Sequence, residues 1–511
     1  MDKAIKEKEN LSQRLMKNII WNFIGQIWLV ILGFFATPFI VRALNVNFYG
    51  LYSLLGVIIG YFSFLQFGLG TAEVKFIAQY HANGESEKIR KVFWDCIIVY
   101  FIFGVMGTVL ITFFSRFLAF KIFKIAPDLI DTAIFVFRIG SLGFLILMIM
   151  SVVVGVVQAI GEFGLLNRVG IIMGTLQISA VLLLLKLGFS LKEMIMSNLL
   201  VQVLGLYMLW GSVRKIMPYL SRPVWDKQYL VKLFKFGGFV SISSILSPVL
   251  LNIEKLFLTS LRPIASLTYY AIPFGLIDKL SLIRSSFSSV LFPAFSSLQG
   301  NEDNNLNRDL HARSALYIFF FYSFFLLFFL IFGREFLNAW IGGNFAFNST
   351  RFLKILALAG LINSLAVPSL NALQGLNKPH IPALFHLVET VLYVPCAYFL
   401  IGRYGGSGAA LAWFFRVLLD TLLLNWASCR LFGEKILSWY GRILFRGALP
   451  VLVSGLGLWG LKCLGLRFFS LANILGIFSL FLAYYAMVWQ WGLDDFARMR
   501  IRQLVKEKIG G

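Results

Sequence analysis

Charge is scarce in this chain. Only 14% of its 511 residues are Asp, Glu, Lys or Arg, where a soluble domain carries about 25%. That deficit excludes a water-exposed fold of this length. Acids are scarcer still: 24 face 46 bases, and the formal net charge is +22. Cysteine and histidine number four each, too few and too scattered for a disulfide framework or a metal motif. Cys96, Cys396, Cys429 and Cys463 lie in or beside apolar runs and are expected as free thiols. A Gly-x-x-x-x-Gly-Lys-Ser/Thr phosphate loop is missing, which argues against an intrinsic ATPase, and so is a His-Glu-x-x-His metal motif. No polar stretch is long enough for a separate soluble domain. No outer loop is long enough for the acid/base pair of a glycosyltransferase or ligase; the largest are expected near 116–129 and 334–351. An enzyme is therefore not expected, nor a catalytic residue, a cofactor or a metal.

What is present is apolar sequence. Hydrophobic residues make up 59% of the chain, 53 of them Phe, and the mean hydropathy is +0.81. A helical span needs about 20 apolar residues, and such runs recur from end to end. The pattern predicts an all-α polytopic membrane protein with about fourteen spans. Its segments are a charged N-terminal arm (1–17), six spans (18–212), a basic linker (213–235), six more spans (236–432), a final pair (433–491) and a tail (492–511). The arm leads into an apolar run too long for a signal peptide, so the first span is expected to persist.

Nucleic-acid binding is the usual reading of such a positive balance. Here the bases are dispersed between spans, and the positive-inside rule accounts for them. With the N-terminus inside, the inner segments hold 28 Lys and Arg and the outer segments 13. Both termini are then expected on the cytoplasmic side of the inner membrane.

The two sets of six spans carry traces of repetition. Leu15-Met16-Lys17 resembles Leu230-Val231-Lys232, and Gln158-Ala159-Ile160-Gly161 resembles Gln374-Gly375-Leu376-Asn377. The offsets nearly agree, and six spans per unit imply parallel repeats facing each other across a cavity. His81 and His311 fall in polar stretches, 71–91 and 299–314, and are expected to be exposed.

Five bases remain inside the spans: Arg138, Lys255, Lys279, Arg284 and Arg416. A charge at bilayer depth costs roughly 2.5–3.5 kcal/mol on insertion scales, and such residues usually face a protein interior or a water-filled cavity. They are the candidate binding groups for an anionic substrate. Glu254 and Asp278 adjoin Lys255 and Lys279, but neighbours on a helix point about 100° apart and make poor partners. Arg416 has Asp420 one turn on, so an i,i+4 pair is its plain alternative. Glu254, Asp278, Glu389 and Asp420 are the candidate ion-coupling acids. Glu389 leads them, because no base lies near it in its own helix. The coupling ion would be H+ or Na+.

The opening, KNIIWNFIGQIWLVILGFFATPFIVRALNVNFYGLYSL followed by FLQFGLGTAEVKFIAQYHANGE, is similar to the Wzx-type polysaccharide flippases. These belong to the superfamily that also holds MATE drug exporters and lipid II flippases (the MOP exporters). The resemblance implies two six-helix bundles, with two further helices in some members. It also implies movement of an undecaprenyl-diphosphate-linked oligosaccharide, such as an O-antigen unit, by alternating access. Its partners would be that lipid-linked oligosaccharide, membrane lipids, a polysaccharide polymerase and chain-length machinery. A MATE-like ion-coupled drug or metabolite antiporter is the alternative, and a membrane glycosyltransferase or polymerase a more remote one.

Overall fold

The computed structural model describes residues 2–66, 69–226, 229, 231–233, 250, 252–298, 304–465, 467–492 and 498, with side chains from Gly25 onward except those of Phe64 and Asn304. Every regular element among them is helical. In a bilayer this follows from the solvent: no water is at hand for backbone N–H and C=O groups, so each segment must satisfy its own. Eleven helical runs among the described residues are long and apolar enough to cross a membrane.

Contacts divide the chain into two units, Met1–Thr268 and Tyr269–Gly511. The first begins with α1, Asp2–Phe62. Its apolar part, Gly25–Phe62, has 38 residues, which at 1.5 Å per residue is about 57 Å, nearly twice a hydrocarbon core. Asn45 resolves the excess. It adopts φ 61°, and its Oδ1 accepts from the backbone N–H groups of Asn47 (2.9 Å) and Phe48 (3.2 Å). It thus caps a second helix, and two spans meet there, as the sequence implied.

Next come α2 (Leu69–Ala82), α3 (Ser86–Phe117), α4 (Ile130–Ala159), α5 (Phe163–Lys186) and α6 (Leu191–Ile216). A capping box opens α6: Ser190 and Glu193 serve each other's backbone N–H groups. α3 packs on α4, α4 on α6, and α5 on α1 and α6. α2 is too short to span. It buries Leu69, Ala72 and Ile77 against Phe93, Cys96 and Tyr100 of α3 and Val152 of α4. The basic stretch after α6 turns back over the start of α3. Trp94 Nε1 donates to the Leu220 carbonyl at 2.9 Å, and Lys91 pairs with Asp226 at 3.0 Å. Span seven, expected over 236–260, lies largely outside the described residues; its end is helical over 252–261 (α7).

The second unit holds α8 (Ala265–Lys279, all but its first residues), α9 (Ser281–Ser297), α10 (Asn304–Trp340), α11 (Gly343–Ser364) and α12 (Val367–Gly375). It continues with α13 (His380–Tyr404), α14 (Gly406–Leu431), α15 (Ile436–Cys463) and α16 (Leu471–Met487). The eighth expected span, 266–296, is broken at Leu280, whose carbonyl accepts from the Tyr322 hydroxyl at 2.6 Å. α10 packs on α11 and α15, α11 on α14, and α13 on α14. Two expectations fail here. The large loop near 334–351 is a two-residue break between α10 and α11. The polar stretch 299–314 is helical from Asn304 on, and His311 is fully buried. Asn307, His311 and Ser314, at helical spacing, form one buried polar stripe.

The repeat has a local structural counterpart. α4 ends in a turn with Gly161 at φ +76°, and α12 in a turn with Asn377 at φ +61°, 216 residues apart. In both, the left-handed residue donates to the glutamine carbonyl three positions back, 3.0 Å to Gln158 and 3.2 Å to Gln374. The next N–H reaches five back, 3.1 Å to Val157 and 2.8 Å to Leu373. Each helix thus closes with the same paired cap.

Candidate functional site

The tightest set of embedded charges lies on the α13–α14 hairpin. The turn needs Gly405 at φ 58°, and Gly408 sits so close to the α13 backbone that a Cβ would come 2.0 Å from the Leu400 carbonyl oxygen. The helices therefore meet closely and bring Glu389 opposite Arg416. Glu389 is 1% exposed, and its Oε2 lies 3.8 Å from Arg416 Nη1. This is an ion pair without a hydrogen bond: neither Glu389 oxygen nor Arg416 Nε has a hydrogen-bond partner. Arg416 also lies over the Tyr393 ring, 5.6 Å from its centroid. Asp420 faces His386 instead, Oδ1 to Nε2 3.8 Å. The i,i+4 pairing of Arg416 with Asp420 is therefore replaced by a pairing across helices. Ligand atoms of His386, Glu389 and Asp420 lie within 4.8 Å of one another. Two carboxylates, an imidazole and a guanidinium so arranged can hold a proton or a small cation, with Arg416 as the competing positive charge.

Arg284 and Asp278 share a second place in this unit. Both line a small space, with Phe274, Tyr322, Asn363 and Trp413, of about 10 Å³, room for one water. Lys279 ends α8 beside it. In the first unit, Arg138 Nε donates to Ser115 Oγ on α3 at 3.1 Å, and Lys255 Nζ to Asn252 Oδ1 at 2.9 Å. Glu254 is fully buried. The structure thus gathers Glu389, Arg416 and Asp420, and puts Asp278 and Lys279 with Arg284, while Arg138, Glu254 and Lys255 belong to the first unit.

Sequence reasoning passed over a neutral site in the first unit. A pocket of about 300 Å³ opens among α1, α4, α5 and α6. Tyr52, Ser53, Gln177, Asn198 and Gln202 give it hydroxyl and amide groups, and Leu55, Ile59, Leu147 and Leu199 its apolar wall. The Asn198 and Gln202 side-chain oxygens are buried without a hydrogen-bond partner. The spacing of Asn198 and Gln202, one turn apart inside an apolar span, was the available signal. A search confined to charge misses it.

A family model described as "Polysaccharide biosynthesis protein" matches residues 39–350. The chain belongs to that family. It is 24% identical over 421 residues to a Shigella flexneri protein to which O-antigen transport is ascribed, covering 82% of this chain and 98% of that one. A Klebsiella pneumoniae membrane protein of the cps region is 21% identical, over 81% of this chain and 82% of its own. Among solved structures, the lipid II flippase MurJ in an inward closed conformation matches with a TM-score of 0.70 at 13% identity, over 93% of this chain and 99% of that one. An inward-facing multidrug resistance MATE family transporter matches at 0.63 and 15%, over 81% and 94%. The fold is that of the MOP superfamily. The chain is a multi-pass membrane protein of the polysaccharide-biosynthesis family, built on the fold that these transporters and flippases share.

Proposed function

We propose that this chain moves a lipid-diphosphate-linked oligosaccharide across the inner membrane by alternating access. The observation that carries the reading is the neutral amide- and hydroxyl-lined pocket of the first unit. Carboxamides and hydroxyls donate and accept at once, which suits sugar hydroxyls, and the Tyr52 ring offers a flat apolar face. No acid lines this pocket, whereas an exporter of cationic drugs would be served by one. In the second unit, Arg284 and Lys279 are the groups we assign to the diphosphate; in the first, we assign Lys255 to substrate binding and Arg138 to the outer end of the path. Membrane lipids receive the hydrocarbon tail, and a polymerase with its chain-length machinery would consume the product. Reconstitution in proteoliposomes with an undecaprenyl-diphosphate glycan tests this. Asn198→Leu and Gln202→Leu should slow flipping at least tenfold. Unchanged flipping in both variants, or efflux of cationic dyes with no glycan movement, would overturn it.

The coupling reading rests on the α13–α14 hairpin. In our proposal Glu389 and Asp420 exchange Arg416 for an incoming H+ or Na+, so that cation entry loosens the hairpin. Transport by the Glu389→Gln variant that still follows the ion gradient would remove Glu389 from this role.

A further inference from the structure

We infer that the second unit carries a zinc-type metal site formed by His311 Nδ1, Cys429 Sγ and Glu434 Oε2. One ligand atom from each residue lies within 4.8 Å of the others. The three residues come from α10, the end of α14 and the turn into α15, so the site links elements distant in sequence. Their side chains are buried: His311 0% and Cys429 1% exposed, and the Glu434 side chain 1%.

The surrounding hydrogen bonds prepare each ligand. Ser369 Oγ donates to Asn425 Oδ1 at 2.6 Å, and Asn425 Nδ2 donates to the Tyr440 hydroxyl at 2.8 Å. The Ser369 proton is thus committed. With the Asn425 amide in this orientation, Ser369 Oγ, 2.8 Å from His311 Nε2, accepts from it, in a cluster that Ser428 Oγ joins by donating to Ser369 Oγ at 2.8 Å. That places the imidazole proton on Nε2 and leaves a lone pair on Nδ1. Holding the far nitrogen against an oxygen is how metal-ligating histidines are usually fixed. Glu434 is arranged in the same sense. Arg308 Nε at 2.6 Å and Arg442 Nη2 both bind Oε1. Oε2 is left free.

Two buried acceptors, His311 Nδ1 and Glu434 Oε2, therefore have no hydrogen-bond partner. Each of these residues also places a ligand atom within 4.8 Å of the Cys429 sulfur. A single S–H could serve only one of them, whereas a cation serves both. Sulfur, nitrogen and oxygen in one small set is the donor mixture of Zn2+. Ligand atoms on one tetrahedral zinc stand about 3.4–3.6 Å apart, given bonds of about 2.0–2.3 Å. A contraction of about 1 Å closes the set. Binding displaces the Cys429 thiol proton to solvent. One thiolate, one carboxylate and a neutral imidazole then balance the dication, so the nearby arginines face a neutral centre. Cys429 and Glu434 also line an open pocket of about 540 Å³ with Trp426, Arg430 and Lys435, which gives the ion a way in. A metal here would clamp the α14–α15 turn onto the start of α10.

The test uses the full-length, tag-free protein in nanodiscs, loaded with Zn2+, or with Co2+ as a spectroscopic probe. One zinc per chain should remain after gel filtration. Co2+ should give a thiolate-to-metal charge-transfer band, and EDTA should lower the unfolding temperature. Cys429→Ser is nearly isosteric and should abolish the band and weaken zinc binding at least tenfold, while His311→Ala should weaken it similarly. Zinc retained equally by the Cys429→Ser protein, or absence of bound zinc from well-folded wild type, would overturn the site.

Discussion

The Glu389–Arg416 pair allows a quantitative prediction. Its charges lie 3.8 Å apart, which at an effective dielectric near 20 corresponds to about 4 kcal/mol of attraction. Desolvation offsets most of that in the intact pair, but removing one partner leaves the other buried alone and typically costs 3–5 kcal/mol. Arg416 is 11% exposed and cannot recover its hydration, although Asp420 remains near and softens the loss. Glu389→Gln should therefore destabilise the second unit by about 3 kcal/mol. Arg416→Met should cost at least as much, since it leaves two carboxylates together with only His386 to offset them. The double variant should recover most of the loss, because neither charge is then orphaned. The assay is reversible unfolding by SDS titration, read by tryptophan fluorescence for wild type, both single variants and the double. A coupling energy of at least about 1.5 kcal/mol is expected. Additivity to within about 0.5 kcal/mol would mean the two charges do not interact, and the hairpin would lose its place in the mechanism.

Three further outcomes follow from the same structure. Glu73 on α2 is fully buried with both oxygens unbonded, and burial holds its carboxyl well above the ordinary 4.5; the folded chain then keeps a proton that the unfolded chain has lost, so stability is full below about pH 4.5 and declines as pH rises. Glu73→Gln should raise the unfolding temperature at pH 8 and flatten its decline between pH 5 and 8, and an unchanged pH profile would refute this. Arg284→Ala should reduce glycan flipping at least tenfold with normal insertion, and Arg284→Lys should restore part of it, keeping charge without the planar fork; full flipping by the alanine variant would remove Arg284 from the path. A reporter fused at Gly511 should be active only in the cytoplasm, as the 28:13 distribution of bases requires.

The helices were the most legible part of the chain, because a bilayer admits few other solutions. Where expectation and structure part, the cause is local. The break at Leu280 divides one long apolar run, and apolar content does not reveal it. The start of α10 read as a loop because Asn304-Asn305-Leu306-Asn307-Arg308-Asp309 is polar. Yet Asn307, His311 and Ser314 share one face, and that face meets hydroxyls of α12 and α14. A polar stripe at helical spacing is a helix signal as much as an apolar one.

The site was legible only residue by residue. Charges inside spans are conspicuous, and Glu389, Arg416 and Asp420 are among them. Their grouping is not conspicuous, because Arg416 and Asp420 one turn apart suggest a pair within α14. The close approach at Gly408 brings Glu389 to Arg416 and gives Asp420 to His386. The neutral pocket shows the opposite limit. Tyr52 and Gln177 stand 125 positions apart, on α1 and α5, and carry no charge to draw notice. His311 and Cys429 are 118 apart, on α10 and α14. Neither group has a spacing that a linear motif could express. Sequence therefore identifies which side chains are costly to bury. Only the packing of the helices decides which of them offset one another, and which are left with an unused lone pair where a sugar, a proton or a metal can bind.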